Sequence, residues 1–293
     1  MGIDSPDKRV LRQPEHKAPQ LGDNVMNAQE YSGIRHESPY IFELTRNGKK
    51  ITYFGSDHVS DPNNTLFAQI RSTLEKAAPD LVLVEGVEKL RERRESFHVW
   101  LSEMSESETI EQGGEPLFAV RLALEKGIEC NSPEPSDEFV HEQLIAKGYT
   151  PDEIFAYELF RVLPQYYRRG NGDSFREYAQ PFLDRFKRST EWRGYDYSYE
   201  NALRIGEAIV GHPVDVESDE MVSEYVDPIP RADITETALN RVGRVTSHIR
   251  DCFAVEDIAR ELHTHDNIFI IFGHSHAVMH EPALRKLFSN SRE

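Results

Sequence analysis

The feature that most constrains the fold is the stretch of residues 267–276, which reads N-I-F-I-I-F-G-H-S-H. Five consecutive apolar residues, 268–272, are β-branched or aromatic, which is typical of a strand buried on both faces. The run stops at Gly273, and a helix-like stretch begins near Pro282. The polar residues 273–276 are therefore predicted to follow the carboxyl end of a central strand, where open α/β sheets bind their ligands.

A second strand-like run ends in the same pattern. Residues 51–54 lead into Gly55 and then His58, so a glycine is again followed three residues later by a histidine. A helical period over residues 64–78 separates this run from a third strand-like run, 80–84, which is followed by Glu85. Because strand, helix and strand in this order favour a right-handed crossover, Glu85 is predicted to lie beside His58.

The remaining patterns complete the prediction of the fold. Asn47-Gly48 between two strand-like runs indicates a hairpin, and residues 136–262 have a mainly helical pattern. The predicted fold class is α/β, with a mostly parallel central sheet flanked by helices and a large helical insertion at 136–262. Residues 1–37 are rich in proline and charge and predict a flexible or loosely docked extension, and residues 38–293 predict a single α/β domain.

Composition excludes several classes of function. The chain has 293 residues and a formal net charge of −17, so its acidic surface argues against a nucleic-acid partner. No apolar run approaches the roughly 20 residues that span a bilayer, and the polar N-terminus shows no secretory signal. With only two cysteines, a disulfide framework is not indicated. These observations predict a cytoplasmic protein that acts on a small-molecule or peptide substrate, with no membrane partner.

His58, Glu85 and His276 are the candidate catalytic residues. Two imidazoles and a carboxylate are sufficient to hold a catalytic divalent metal such as Mn²⁺, Co²⁺ or Zn²⁺ with an open water position. The same three groups also serve without a metal, because a histidine can take a proton from water while a glutamate orients it. The sequence leaves both alternatives open.

Three residues are candidates for substrate binding, and one of them, Arg250, is also a fourth candidate catalytic residue. Glu115 follows two glycines at a predicted helix start. It is either a member of the site or an acid that suits a helix N-terminus. Arg250 offers a guanidinium that could hold a carboxylate or an oxyanion, or it pairs with an acid such as Glu85 or Asp251. His274 is a candidate for substrate contact, for support of the site or for a surface position.

With these residues in view, the chain resembles the TraB/PrgY/GumN/Tiki superfamily, which is related to ChaN-like and erythromycin-esterase-like proteins. The motifs that carry the resemblance are, in chain order, Gly55-Ser-Asp-His58, Val84-Glu85, Gly113-Gly-Glu115, Arg250-Asp251 and Ile270-Ile-Phe-Gly-His-Ser-His276. They span most of residues 50–288. The Tiki branch implies metal-dependent peptide cleavage, the erythromycin-esterase branch implies metal-free hydrolysis with a histidine base, and other branches imply regulatory roles. Carried over, His58, Glu85, Arg250 and His276 would be the functional set.

The sequence therefore predicts a hydrolase that cleaves a peptide, ester or amide bond. The main alternative is a catalytically silent binder or regulator that holds a small ligand or peptide in the same cleft. A third possibility is a metallophosphoesterase, because Gly-His-x-His near the C-terminus resembles that class. The early motif there requires Asp-x-His, however, and in this chain Asp57 directly precedes His58.

Overall fold

The computed structural model describes residues 21–87, 90–91, 93–169, 174–217 and 224–289. They form an α/β fold built on a five-stranded sheet of order β1-β2-β5-β3-β4. Only β1 is antiparallel to its neighbour, β2, and the other pairs are parallel. The strands are β1 Tyr40–Arg46, β2 Lys49–Ser56, β3 Leu81–Val84, β4 Glu129–Asn131 and β5 Asn267–Gly273.

Among the described residues, one α-helix precedes β1, one follows β5, and the others lie in the connections that follow β2, β3 and β4. The helices are α1 Ala28–Tyr31, α2 Thr65–Ala77, α3 Arg94–Ser102, α4 Glu106–Glu125, α5 Asp137–Ala146, α6 Pro151–Phe160, α7 Leu163–Arg169, α8 Phe175–Thr190, α9 Tyr199–Val210, α10 Ala238–Glu261 and α11 His274–Ser289. The predicted fold class is confirmed, including the mostly parallel sheet and the helical run between β4 and β5.

Both faces of the sheet are covered, as the apolar run at 268–272 predicts. Phe269 and Ile271 pack with α2 and α4 on one face. Ile268 and Ile270 pack with α10 and α11 on the other. Successive side chains of a strand point to opposite faces, so β5 needs apolar residues at every position. The unbroken run is therefore explained by its central place in the sheet.

The helical run has a second hydrophobic core of its own. Residues of α5 to α9, including Phe155, Phe160 and Phe186, pack together with the first half of α10. The second half of α10, with Val255 and Ile258, packs instead on the sheet. The predicted insertion 136–262 thus overlaps the α/β layer at its end, and α10 joins the two cores.

Two predictions, one about the start of the last helix and one about the order of the strands in the sheet, need correction. The helix predicted to begin near Pro282 begins at His274, directly after β5. In addition, β5 lies between β2 and β3, so β3 is not adjacent to β2. Glu85 and His58 consequently follow strands that flank β5, which places His276 between them.

The prediction of a flexible or loosely docked extension at residues 1–37 needs correction for its described part, residues 21–37. Residues 21–24 form a short 3-10 helix in which Leu21 is buried, and Val25 is buried after it. Both belong to the core between α10, α11 and the sheet, and the Met26 N–H donates to the Met279 carbonyl. Residues 21–37 are thus part of the packed domain, whereas residues 1–20 lie outside the described residues.

Candidate active site

A cleft of about 830 Å³ opens at the carboxyl ends of the parallel strands. The structure places five of the six sequence-predicted site residues on its lining, namely His58, Glu85, Glu115, Arg250 and His276. The sixth, His274, is not among the lining residues. Such clefts at strand ends are where ligands bind in α/β folds.

His276 is held in place by a buried chain of polar side chains. Its Nδ1 lies 2.5 Å from Oδ1 of Asp251, and the same oxygen lies 3.0 Å from Nε2 of His280. The Tyr53 hydroxyl lies 2.9 Å from Nδ1 of His280. Because an ionised carboxylate can only accept hydrogen bonds, both imidazoles donate to Asp251. The remaining nitrogen of His276, Nε2, lies toward Glu85 in the cleft.

Three of these side chains form a group that could hold a metal ion. Asp251, His276 and His280 each place one ligand atom within 4.8 Å of the others. These atoms are, however, already at hydrogen-bond distance from one another. The same contacts therefore also describe a carboxylate that orients an imidazole, as found behind metal-binding histidines.

Glu85 follows β3 and is fastened to the end of β5. Its Oε2 accepts the Gly273 N–H at 2.7 Å, and its Oε1 lies 3.6 Å from Nε2 of His276. Burial opposes the ionisation of Glu85, but the charges of His276 and Arg250 and the Gly273 N–H outweigh it, so the pKa of Glu85 is lowered. An ionised carboxylate therefore faces the imidazole of His276.

His58 has a carboxylate behind it as well. Its Nδ1 lies 3.8 Å from Oε1 of Glu115, which accepts the Val59 N–H at 3.0 Å. Gly114 makes this approach possible, because its φ of 59° breaks α4 and a Cβ there would lie 2.9 Å from the Val59 carbonyl. Burial raises the pKa of Glu115 to about 7. This carboxyl group can thus gain or lose a proton near neutral pH.

The histidines and Glu85 converge around Gly273. A Cβ on this residue would lie 3.3 Å from Nε2 of His58, 3.5 Å from Oε2 of Glu85 and 3.5 Å from Cδ2 of His276. The absence of a side chain at Gly273 therefore leaves open the space that these groups share. The arrangement brings together two imidazoles and a carboxylate, with a second carboxylate behind each imidazole.

Arg250 lines the cleft, but its ion-pair partner is Glu134, not Glu85 or Asp251. Glu134 uses one carboxylate oxygen for Arg250 and accepts the Gly86 N–H with the other, at 2.5 Å. This acid therefore ties the segments after β3 and β4 to α10. Arg250 has a clear structural role in addition to its position at the cleft.

We expect Arg250→Lys to lower the free energy of unfolding by about 1–2 kcal/mol, because a lysine cannot reproduce the planar donor fork of arginine. Arg260→Lys, on the same helix, is the matched control, since Arg260 pairs with Asp257 at an exposed position. Its cost should stay below about 0.5 kcal/mol. Chemical denaturation of both variants provides the measurement, and equal costs would contradict the structural role of the Arg250 pair.

His274 is the first residue of α11 and does not line the cleft. Its Nε2 lies 3.2 Å from Oδ1 of Asp57, and its ring lies 4.9 Å from that of His36. Burial lowers the pKa of His274. The structure thus separates the two histidines of the Gly-His-Ser-His motif, and only His276 lies at the cleft.

The pKa of His276 predicts a pH dependence of stability. Burial lowers this pKa, but Asp251 and Glu85 outweigh it and raise it to about 9. The folded state therefore binds the proton more tightly than the unfolded state does. The resulting stability, on the order of 3 kcal/mol, is fully present below the unfolded pKa of about 6.5 and is lost as the pH rises through about 9.

This effect can be measured by thermal unfolding of chelator-treated protein between pH 6 and pH 10. We expect the melting temperature of the wild type to fall more steeply over this range than that of His276→Gln. Other groups titrate in both proteins and cancel in the comparison. Parallel curves for the two proteins would show that the imidazolium of His276 contributes no stability.

The sequence patterns do not point to Tyr53 or His280 as site members. Tyr53 reads as one more apolar residue of β2, and His280 lies beyond the Gly-His-Ser-His motif. Only the helix that begins at His274 puts His276 and His280 one turn apart, where side chains four residues apart are neighbours. Asp251 enters the sequence argument only as the partner of Arg250 in a shared motif.

No model of a known protein family matches the chain, and no curated protein matches it. Among the described residues, no helix has both the length and the apolar character needed to cross a membrane.

Proposed function

We propose that this protein is a hydrolase that cleaves a peptide, ester or amide bond at the cleft, with a divalent metal, Mn²⁺, Co²⁺ or Zn²⁺, held by His58, Glu85 and His276. The observation that carries the proposal is the convergence of two carboxylate-backed imidazoles on Glu85 beside Gly273. The proposal agrees with the resemblance to the Tiki branch, which implies metal-dependent peptide cleavage.

The donor set suits a catalytic metal. Two histidines and one glutamate leave a coordination position open, and a carboxylate behind each imidazole strengthens it as a ligand. The ligand atoms of the three residues do not all lie within 4.8 Å of one another, whereas Glu85 and His276 are 3.6 Å apart. His58 would therefore move inward, and its side chain, 49% exposed, has room to do so.

The residues of the chain have distinct roles in this proposal. Asp251 accepts a hydrogen bond from Nδ1–H of His276 and so directs Nε2 into the cleft. Glu115, with a pKa of about 7, is placed to hold or release a proton beside His58 at neutral pH. Arg250, fixed by Glu134, offers donors to a substrate oxygen that gains negative charge. A bound metal would polarise the scissile carbonyl and lower the pKa of a water molecule.

A metal-free mechanism is the second candidate, and the Asp251–His276 pair favours it. A carboxylate behind a histidine is the arrangement used to position a histidine base. With a pKa of about 9, His276 is mostly protonated at neutral pH, so this mechanism predicts a rate that rises toward pH 9. Metal dependence of the rate distinguishes the two candidates.

The test is a panel of ester, amide and peptide substrates, assayed after chelator treatment and again after addition of Mn²⁺, Co²⁺ or Zn²⁺. The proposal predicts turnover of at least one substrate that the chelator removes and a metal restores. Turnover that survives the chelator would support the histidine-base mechanism. Binding of substrates without turnover under any of these conditions would indicate the silent binder instead.

Replacement of Gly273 gives a test of the convergence itself. The backbone of Gly273 is not in the left-handed region, and a methyl group there would make contacts of 3.3 to 3.5 Å only. We expect Gly273→Ala to change the free energy of unfolding by less than about 1 kcal/mol but to lower turnover by about 100-fold, because the methyl group fills the space that the reacting groups share and so disturbs their alignment with a substrate.

The contrasting variant is Gly55→Ala, whose Cβ would lie 2.6 Å from the Cβ of Ala277. Such a clash should destabilise the fold by about 1–3 kcal/mol. Thermal unfolding and rates of both variants provide the measurement. Full activity in Gly273→Ala would show that the space beside Gly273 is not where the reaction occurs.

A further inference from the structure

Arginines line the cleft beyond the strand ends. Arg161 follows α6, Arg185 lies on α8, and Arg93 precedes α3, and all three belong to the lining. Their presence is notable in a chain with a formal net charge of −17. The lining also contains three glutamates, but a positively charged part of a cleft attracts anionic ligands.

Two of these arginines have an acid behind them. Nε of Arg161 lies 2.8 Å from Oε2 of Glu158, and Nε of Arg185 lies 2.9 Å from Oδ2 of Asp137. In each pair the cation is the more exposed member, 26% against 7% and 40% against 29%. Neither acid lines the cleft. Each pair therefore presents its guanidinium, not its carboxylate, to the cleft.

The third arginine has no acid partner in the described ranges. The guanidinium carbon of Arg93 lies 5.1 Å from the centroid of the Phe97 ring. Phe97 and the exposed Trp100 also line the cleft, and their ring centroids lie 5.9 Å apart. A positive group and two aromatic rings from one helix and its cap thus face the same space.

We propose that Arg93, Arg161 and Arg185, here called the arginine wall, bind an anionic group of the substrate, a carboxylate or a phosphate, while Phe97 and Trp100 contact an apolar group next to it. A guanidinium has five N–H donors, so Arg161, which pairs with Glu158 through Nε, retains donors for a second oxyanion. Charge-assisted hydrogen bonds of this kind are among the strong ones.

The position of this wall in the cleft gives a substrate class. The arginine wall and the proposed hydrolytic site at the strand ends together point to a peptide, amide or ester that carries a negative charge. This substrate class rests on the proposed function. A neutral substrate of the same shape would leave the wall without its ligand. The anion-binding step itself does not depend on any hydrolysis.

The experiment measures binding of citrate and of inorganic phosphate to the full-length protein by calorimetry at constant ionic strength. We expect saturable binding of at least one probe, and the probe that binds tighter separates a carboxylate site from a phosphate site. Arg161→Gln and Arg93→Gln should each weaken that binding by about tenfold, the effect of losing one charged hydrogen bond. Arg93 is exposed, so its variant should fold even if Arg161→Gln does not.

Arg188→Gln is the matched control, because Arg188 is exposed on α8 one turn from Arg185 and does not line the cleft. It should bind the probe as the wild type does. Equal losses in Arg188→Gln and Arg93→Gln, or no saturable binding of either probe, would overturn the proposal. So would equal turnover of an anionic substrate and its neutral amide, with hydrolysis itself intact. Probe binding in a protein without any hydrolysis would instead support the wall and contradict only the proposed function.

Discussion

His276→Ala is expected to abolish metal retention and to lower turnover by about 1,000-fold or more, because the substitution removes both a ligand and the imidazole nearest Glu85. Nε2 of His276 lies 3.6 Å from Oε1 of Glu85, and its ring is the one that Asp251 directs into the cleft. The measurements are metal content by elemental analysis and the rate on the best substrate of the panel. Both should fall together.

His274→Ala is the matched control for this variant. The two histidines lie in one motif, but His274 does not line the cleft and faces Asp57 instead. We expect His274→Ala to retain metal and most of its activity. A loss of activity in His274→Ala as large as that in His276→Ala would mean that the cleft has been assigned to the wrong histidine.

Asp251→Asn is expected to reduce metal affinity and turnover by about 10- to 100-fold, the usual effect of removing a carboxylate behind a liganding histidine. Asp251 lies 2.5 Å from Nδ1 of His276, and burial, which opposes its ionisation, is outweighed by His276 and His280, so its pKa is lowered. An amide keeps the shape but loses the charge that stabilises the orientation of His276.

Asp257→Asn serves as the control, since Asp257 lies on the same helix and pairs with Arg260. It should leave both metal affinity and turnover unchanged. Kinetics with varied metal concentration separate a weaker affinity from a slower reaction. If Asp251→Asn bound metal and turned over substrate at the wild-type level, the buried chain behind His276 would be structural only.

The parts of the fold that the sequence predicts are those encoded by short-range patterns. The run at 268–272 has to be buried on both faces, and β5 is indeed covered by helices on both. Asn47 has a positive φ of 49°, as the hairpin signal requires. Glycine followed by histidine at the ends of β2 and β5 predicts side chains at one edge of the sheet, because parallel strands end together.

The order of the strands in the sheet and the contacts between distant elements are not encoded in such patterns. Nothing in residues 51–85 indicates that β5, almost 200 residues later, inserts between β2 and β3. The polar residues after Gly273 suggest a loop, and Pro282 suggests a helix start, whereas in the structure Pro282 lies inside α11. The helix begins earlier because Ala277 packs against the sheet and covers Gly55.

The buried, hydrogen-bonded side chains behind His276 could not be predicted for the same reason. Tyr53, Asp251 and His280 come from β2, α10 and α11, and each is unremarkable within its own segment. Their hydrogen bonds form only when the second half of α10 packs on the sheet. Buried polar groups need partners, so an aspartate on the buried face of a predicted helix indicates that Asp251 has a polar partner. The sequence does not identify this partner as His276 or His280.

The proposed metal site can be tested most directly by a titration of metal-free protein with Co²⁺, followed by visible absorption. The proteins compared are the wild type, His58→Ala, Glu85→Gln, His276→Ala and His280→Gln. We expect one tightly bound Co²⁺ in the wild type, and loss of this binding in the first three variants but not in His280→Gln. Binding that survives His58→Ala and Glu85→Gln but is lost in His280→Gln would place the metal at Asp251, His276 and His280. That result would contradict a catalytic metal in the cleft.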